Sequence, residues 1–184
     1  MVTVFLANGF EEMEAIAPID LLRRSGIAVQ TAAVGTNPAM HGGKVVVGAH
    51  GIPVLCDITE NEVTEKEMQM IVLPGGAGTE RLAASATVAK WLCYAQEHQI
   101  LIGAICAAPS VLGNLGILDG KKATAYPGCE PKNAVCTGEF VVKDGNCITA
   151  KGPAACLEFA LELVSALKGE RAAQSVKDEI QCQK

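Results

Sequence analysis

Apolar residues fall in two alternating patterns along the chain. Some stand in short, nearly continuous runs; others recur every three or four positions. Short apolar runs bounded by turn residues read as strands buried on both faces, and the three-to-four spacing reads as helices. Val2–Ala7 is the first run and ends at the turn dipeptide Asn8-Gly9. Phe10–Ser25 then predicts a helix, with Met13, Ile16, Ala17 and Leu21 on one face. Glu11, Glu12 and Glu14 crowd its first turn, where the positive end of the helix dipole favours acids. Pro18 predicts a kink and Gly26 a C-terminal cap. Ile27–Val34 predicts the second strand. Val45–Val47 and Ile52–Leu55, separated by a turn containing Gly51, predict a hairpin or edge excursion. Pro53 favours an edge because it has no N–H to give to a ladder.

The run Met68–Leu73 ends in Pro74-Gly75-Gly76, and Thr87–His98 predicts a helix with Val88, Trp91, Leu92 and Ala95 inward. Ile100–Ile105 is a continuous apolar strand that enters Cys106-Ala107-Ala108-Pro109 and a short helix to about Gly116. Ala123–Tyr126 predicts a further strand. Phe140–Lys143 and Cys147–Ala150 flank Asp144-Gly145, the turn chemistry of a tight hairpin. Pro153 sits where a first helical residue belongs, ahead of the stripe Leu157, Ala160, Leu161, Val164 and Leu167. A short polar helix is expected after Gly169. Alternating strands and helices predict an α/β fold with a mainly parallel sheet, in one domain spanning 1–184. Such sheets bind ligands outside the carboxyl ends of their strands. Three of those ends carry unusual residues: Gly9 to Glu14, Gly75-Gly76, and Cys106.

Composition narrows the function. The chain is 49% hydrophobic, 19% charged and only 4% aromatic, so the core is built from aliphatic residues. A net charge of −5, with 15 scattered basic residues, excludes the clustered Lys and Arg that phosphate backbones require, so no nucleic-acid partner is expected. No apolar run approaches the roughly 18 residues of a membrane span, so no membrane partner is expected. No basic residue precedes the apolar stretch Met1–Ala7, so it is not read as a secretory signal. The 8 cysteines lack CxxC spacing and fall well short of the roughly 8–10% of a disulfide scaffold. They predict a reduced, cytoplasmic protein with free thiols. Neither cysteines nor histidines stand at ligand spacing, so no metal is expected, and no motif implies a cofactor.

Cys106 is the leading chemical candidate. It stands on a sharp strand-to-helix turn, like a nucleophile elbow, where unpaired N–H groups and a helix dipole are expected to bring its pKa below about 8.5. The plain alternative is a small buried cysteine filling space. Glu14 has apolar neighbours and could face inward, where a carboxyl buried beside a thiol would have its pKa raised and could carry a proton; the plain alternative is a solvated first-turn acid, and the residues alone barely separate Glu11, Glu12 and Glu14. Gly75-Gly76 offers backbone N–H groups that no side chain shields, suited to an oxyanion. His41, His50 and His98 lie away from the strand ends and predict no Cys–His pair.

The segments GFEEMEAIAPIDLLRRSGI, VLPGGAG, GAICAAPSVLGNLGIL, KATAYPG and KGPAACLEFALELV stand in the order and spacing of the ThiJ/PfpI superfamily. The chain is most similar to the branch that contains the Parkinson-linked protein deglycase, over nearly its whole length. The resemblance implies a flavodoxin-like three-layer α/β sandwich with helices on both faces of the sheet, usually a homodimer. It implies Cys106 as the reactive thiol and Glu14 as its partner acid. It places an anion pocket at the backbone amides of Gly75, Gly76 and Ala107. Two residues depart from the pattern. The branch usually carries histidine where Tyr126 stands in AYPG, and tyrosine, with a pKa of about 10, is a poor base near neutral pH, so Tyr126 is expected to bind or orient substrate. Ala107 replaces the histidine of the peptidase-like branch, which argues against proteolysis. Cys129, three residues beyond Tyr126, is a candidate to resolve an oxidised Cys106; the other six cysteines read as structural.

The function implied is cysteine-dependent action on a small reactive carbonyl, glyoxalase- or deglycase-like. One alternative is a non-enzymatic oxidative-stress sensor or protective chaperone that works through oxidation of Cys106, its partner then being an oxidant. Another is a hydrolase, hydratase or amidotransferase-like role on the same scaffold.

Overall fold

The computed structural model describes residues 1–37 and 41–182. Strand β1 (Val2–Ala7) leads into helix α1 (Glu12–Arg24), strand β2 (Val29–Val34) and the short strands β3 (Val45–Val47), β4 (Pro53–Leu55) and β5 (Ile58–Thr59). Strand β6 (Met70–Leu73) is followed by α2 (Thr79–Ala84) and α3 (Ala86–Glu97), and strand β7 (Leu101–Ile105) by α4 (Pro109–Asn114). Then come β8 (Lys122–Ala123), β9 (Val135–Cys136), β10 (Val141–Asp144), β11 (Cys147–Ala150), α5 (Cys156–Lys168) and α6 (Glu170–Glu179).

Seven strands form the main sheet in the order β10-β11-β7-β6-β1-β2-β5. Every neighbouring pair is parallel except β10 with β11. The period-two geometry of a strand sends alternate residues to opposite faces. Val2, Val4 and Leu6 of β1 therefore join Met70 and Val72 of β6 in a core beneath α1 and α5, with Ile19, Leu22, Phe159 and Leu163. Phe5 and Ala7 join Ile71 and Leu73 on the opposite face, beneath α2, α3 and α4, with Leu82, Trp91, Leu92 and Leu112. The result is a sheet between two helical layers. Its buried parallel strands explain why so little polar residue interrupts the sequence runs.

Strands β3 and β4 form the expected hairpin as a separate antiparallel pair. Gly26 closes α1 with φ of 73°. Its N–H reaches the Arg23 carbonyl at 2.9 Å while Ile27 N–H reaches that of Leu22 at 3.1 Å, which satisfies two carbonyls the helix end leaves open. Helix α1 runs unbroken through Pro18. The strand expected over Ala123–Tyr126 is instead Lys122–Ala123, because the chain turns at Tyr126 to hydrogen-bond back to the Cys106 carbonyl. The short elements β5, β9 and α2 carry no apolar pattern that predicts them.

Candidate active site

Strands β7, β6 and β1 are consecutive and parallel, so their carboxyl ends open on one edge of the sheet. The loops leaving β1 and β6 clamp each other there. Gly78 N–H donates to the Gly9 carbonyl at 2.9 Å and Glu11 N–H to the Gly75 carbonyl at 3.0 Å. Gly76 has φ of 85°, and a Cβ on it would lie 2.5 Å from the Gly9 oxygen. A Cβ on Gly75 would lie 2.7 Å from both the Cys106 Cβ and Glu14 Oε2. The two glycines are what allow three strand ends to meet.

Cys106 has φ of 65°, a strained value for a residue with a side chain and the mark of a nucleophile elbow. Its backbone is held on both sides: its N–H donates to the Ala150 carbonyl at 2.9 Å, and its carbonyl accepts from Tyr126 N–H at 2.9 Å. The residue is 9% exposed, and Glu14 is 0% exposed. Glu14 Oε2 accepts from Gly75 N–H at 2.8 Å. Oε1 is buried without a hydrogen-bond partner among the described residues, and the carboxyl faces the Cys106 thiol. Burial raises the Glu14 carboxyl to about 7, against the pull of Cys106 and the Gly75 amide. Burial and then the Glu14 charge push the thiol up to about 12, while N–H groups of Gly76 and Ala107 on the sulfur pull it down. The direction is opposite to the lowered thiol pKa expected from local position. Helix α4 has only 6 residues, and its dipole is outweighed by burial and by a carboxylate. Two acids in one pocket titrate as a pair. The carboxyl ionises before the thiol, and its charge, once formed, opposes ionisation of the sulfur. Of the three residues expected to hold an anion, Gly76 and Ala107 aim N–H groups at the sulfur, whereas the Gly75 amide is engaged by Glu14.

A family model described as the DJ-1/PfpI family matches residues 1–166. The chain belongs to the DJ-1/PfpI family. It is 38% identical over 178 residues to protein dj-1beta of Drosophila melanogaster, covering 94% of this chain and 92% of that one. The crystal structure of that protein matches with a TM-score of 0.91 at 36% identity, over 100% of this chain and 98% of the other. A protein of Caenorhabditis elegans named glutathione-independent glyoxalase is 33% identical over 172 residues, 90% of this chain and 87% of its own. A deglycase of Pyrococcus horikoshii is 31% identical over 173 residues, 91% of this chain and 100% of its own. The layered α/β architecture is thus that of the DJ-1/PfpI fold.

Around the central pair of this DJ-1/PfpI chain, Tyr126 is half exposed, with its ring against Gly152. Cys129 lies in the turn beyond, its N–H on the Tyr126 carbonyl at 2.9 Å. Cys156, read from sequence as merely structural, is buried close enough to the pair to share its field: burial, then Glu14, Glu11 and Cys106, push its thiol to about 12. The two other acids have separate tasks. Glu11 caps α1, accepting from Glu14 N–H at 2.9 Å. Glu12 holds the β3–β4 hairpin, accepting from His50 N–H at 2.7 Å and pairing with His50 Nδ1 at 2.8 Å. Burial alone would raise the Glu12 carboxyl; the His50 donors outweigh it and hold it below its usual range. Ligand atoms of Glu11, Glu12 and His50 lie within 4.8 Å of one another, but capping and strapping already account for them. Among the described residues no helix is long and apolar enough to cross a membrane.

Proposed function

We propose that the chain is a cysteine-dependent enzyme acting on small reactive carbonyls, in the manner of a glyoxalase or deglycase. The observation that carries this reading is the fully buried Glu14 carboxyl, raised to about 7 and set against Cys106. A carboxyl with that pKa both gives and takes a proton at neutral pH. The names of the worm and archaeal relatives support the substrate class. The Cys106 thiol gives its proton to the Glu14 carboxylate as sulfur adds to the aldehyde carbon of a 2-oxoaldehyde, forming a C–S bond while the carbonyl pair moves to oxygen. Glu14 returns that proton to the oxygen, and its carboxylate then moves the former aldehyde hydrogen, as a proton, to the neighbouring carbon, while the hydroxyl proton on the first carbon passes to the oxygen of the second. The resulting 2-hydroxy thioester is cleaved by water, which releases a 2-hydroxy acid and restores the thiol. Gly76 and Ala107 amides steady the anion, and Tyr126 orients the substrate. Purified protein is expected to convert methylglyoxal to lactate, with no conversion by Cys106→Ala; equal rates for the two would overturn the reading.

A second reading is favoured by Tyr126, which stands where the resemblance to the deglycase branch leads one to expect a histidine. Two equivalents of peroxide would take the Cys106 thiol to the sulfinic acid with release of two waters, and the surrounding N–H groups and protonated Glu14 would hold its oxygens. Mass spectrometry after mild peroxide should then show two added oxygens on the Cys106 peptide, and their absence would remove this reading. The same proposal places the protein in the cytoplasm, in keeping with free thiols at all 8 cysteines. It also pairs two copies through exposed Met13 and Ile16 of α1 and Ile52 and Leu55 of the β3–β4 hairpin. Sedimentation at micromolar concentration should give a dimer, lost in Met13→Glu with Leu55→Glu.

A further inference from the structure

A cavity of about 260 Å³ is walled by two segments that hydrogen-bond to the Cys106 backbone, and the chemistry proposed for the site engages only its Tyr126. Tyr126, Pro127, Phe140, Lys151, Gly152 and Pro153 line it. Tyr126 is 50% exposed and Phe140 49%, in a chain where aromatic residues make up only 4%. Single exposed apolar side chains are ordinary, but two aromatics on one concave surface mark a binding place. Lys151 turns its ammonium to the Gly138 carbonyl at 3.2 Å, so its aliphatic stem is what remains for the wall. Size decides what class of group fits. An apolar cavity of roughly 150 Å³ is enough for a benzene ring, whereas a methyl group would leave this one largely empty.

Its placement ties it to Cys106. The two segments that build it leave from the two sides of that residue's backbone. One follows Ala150, whose carbonyl accepts from Cys106 N–H; the other follows Tyr126, whose N–H donates to the Cys106 carbonyl. The bare Gly152 lets the two segments close up, since a Cβ there would sit 3.2 Å from Tyr126 Cδ2.

We propose that the Tyr126–Phe140 cavity is the substituent subsite of the Cys106 centre, and that it selects 2-oxoaldehydes carrying an aromatic or bulky apolar group. The inference rests on the carbonyl reading for its substrate, so its test has one arm that needs no turnover. In that arm, Cys106 is alkylated with N-phenyl iodoacetamide or with iodoacetamide, and peptide mass spectrometry gives the rate ratio, with exposed Cys93 as internal reference. Cys106 should favour the phenyl reagent about tenfold over the Cys93 ratio, the discrimination a hydrophobic pocket gives for added apolar atoms. Phe140→Ala should lose that preference and Phe140→Leu should keep part of it. In the turnover arm, kcat/KM for phenylglyoxal over methylglyoxal should fall toward unity in Phe140→Ala. If neither aldehyde turns over but the alkylation preference stands, the carbonyl reading fails and the subsite survives. An alkylation ratio equal to that of Cys93, or unmoved by Phe140→Ala, overturns the inference whatever the turnover.

Discussion

Replacing Glu14 by glutamine should make the protein more stable, and only where the carboxyl would be charged. The carboxyl stands at about 7 in the folded chain against its ordinary 4.5, chiefly because it is buried. Below pH 4.5 it is protonated in both folded and unfolded chains and costs nothing. Between 4.5 and 7 the unfolded chain releases the proton while the folded chain keeps it, so stability falls as pH rises. Above 7 both are ionised, and the whole difference, about 3 kcal/mol, weighs against folding. Screening by solvent does not reduce this, because Glu14 is 0% exposed. The second titration of the pair, at about 12, lies outside the window. Glutamine matches the shape, still accepts from the Gly75 amide and does not titrate. Its advantage over wild type should therefore grow by about 3 kcal/mol between pH 4 and pH 8, roughly 6–12 °C in Tm for a chain of this size. Urea unfolding of both proteins at pH 4, 6 and 8, under reducing conditions and followed by circular dichroism, measures it. A difference that stays flat across the range would refute the raised carboxyl. A difference of opposite sign would mean that the Gly75 amide and its surroundings stabilise the charge more than burial opposes it. Loss of turnover in the stabilised variant would identify the cost of keeping an acid where the chemistry needs one.

Gly75→Ala should abolish turnover and cost about 1–3 kcal/mol, since its Cβ would meet Cys106 and Glu14 at 2.7 Å; kinetics and urea midpoints check both effects. His50 is held above its usual pKa by hydrogen bonding to Glu12, so the strap on the hairpin is strongest when His50 is charged and weakens as pH rises past that point. Hydrogen exchange at His50 and Val47 amides, corrected for intrinsic rates, should speed up from pH 6 to pH 8 in wild type and lose that dependence in His50→Ala. Leu92→Ala, at a fully buried position beneath β6 and β7, should cost about 2–5 kcal/mol in urea unfolding and leave the thiol titration unchanged.

Much of the frame is written in local pattern. Strands β1, β6 and β7 appear as apolar runs because each is covered on both faces, and their ends are marked by Asn8-Gly9, Pro74-Gly75 and Cys106. The hairpin around Asp144-Gly145 and the cap at Gly26 follow from backbone chemistry that few residues satisfy. Strands β5 and β9, of 2 residues each, and the 6-residue α2 escape because they are too short for an apolar pattern to repeat along them. Tyr126 and Phe140 are 14 positions apart, and nothing local says that they share a cavity.

The three acids show where such reasoning stops. Helical geometry turns Glu12 and Glu14 about 200° apart, since each residue advances roughly 100°. Only the neighbour found by each direction gives it a role. For Glu14 the neighbours come from the ends of β6 and β7, 61 and 92 positions away, and they bury its carboxyl and raise its pKa. For Glu12 the neighbour is a hairpin 38 positions away, and it makes the same residue type a strap. The thiol follows the same logic. Read from its own segment it belongs at a helix start and should be acidic. In the folded chain burial and the Glu14 charge dominate and reverse the direction. The ionisation of Cys106 is therefore governed by Glu14 as well as by its own segment. A variant that alters only the local elbow, such as Ser110→Ala on α4, should shift the alkylation pH profile far less than Glu14→Gln. Equal shifts would return control of the thiol to the helix end.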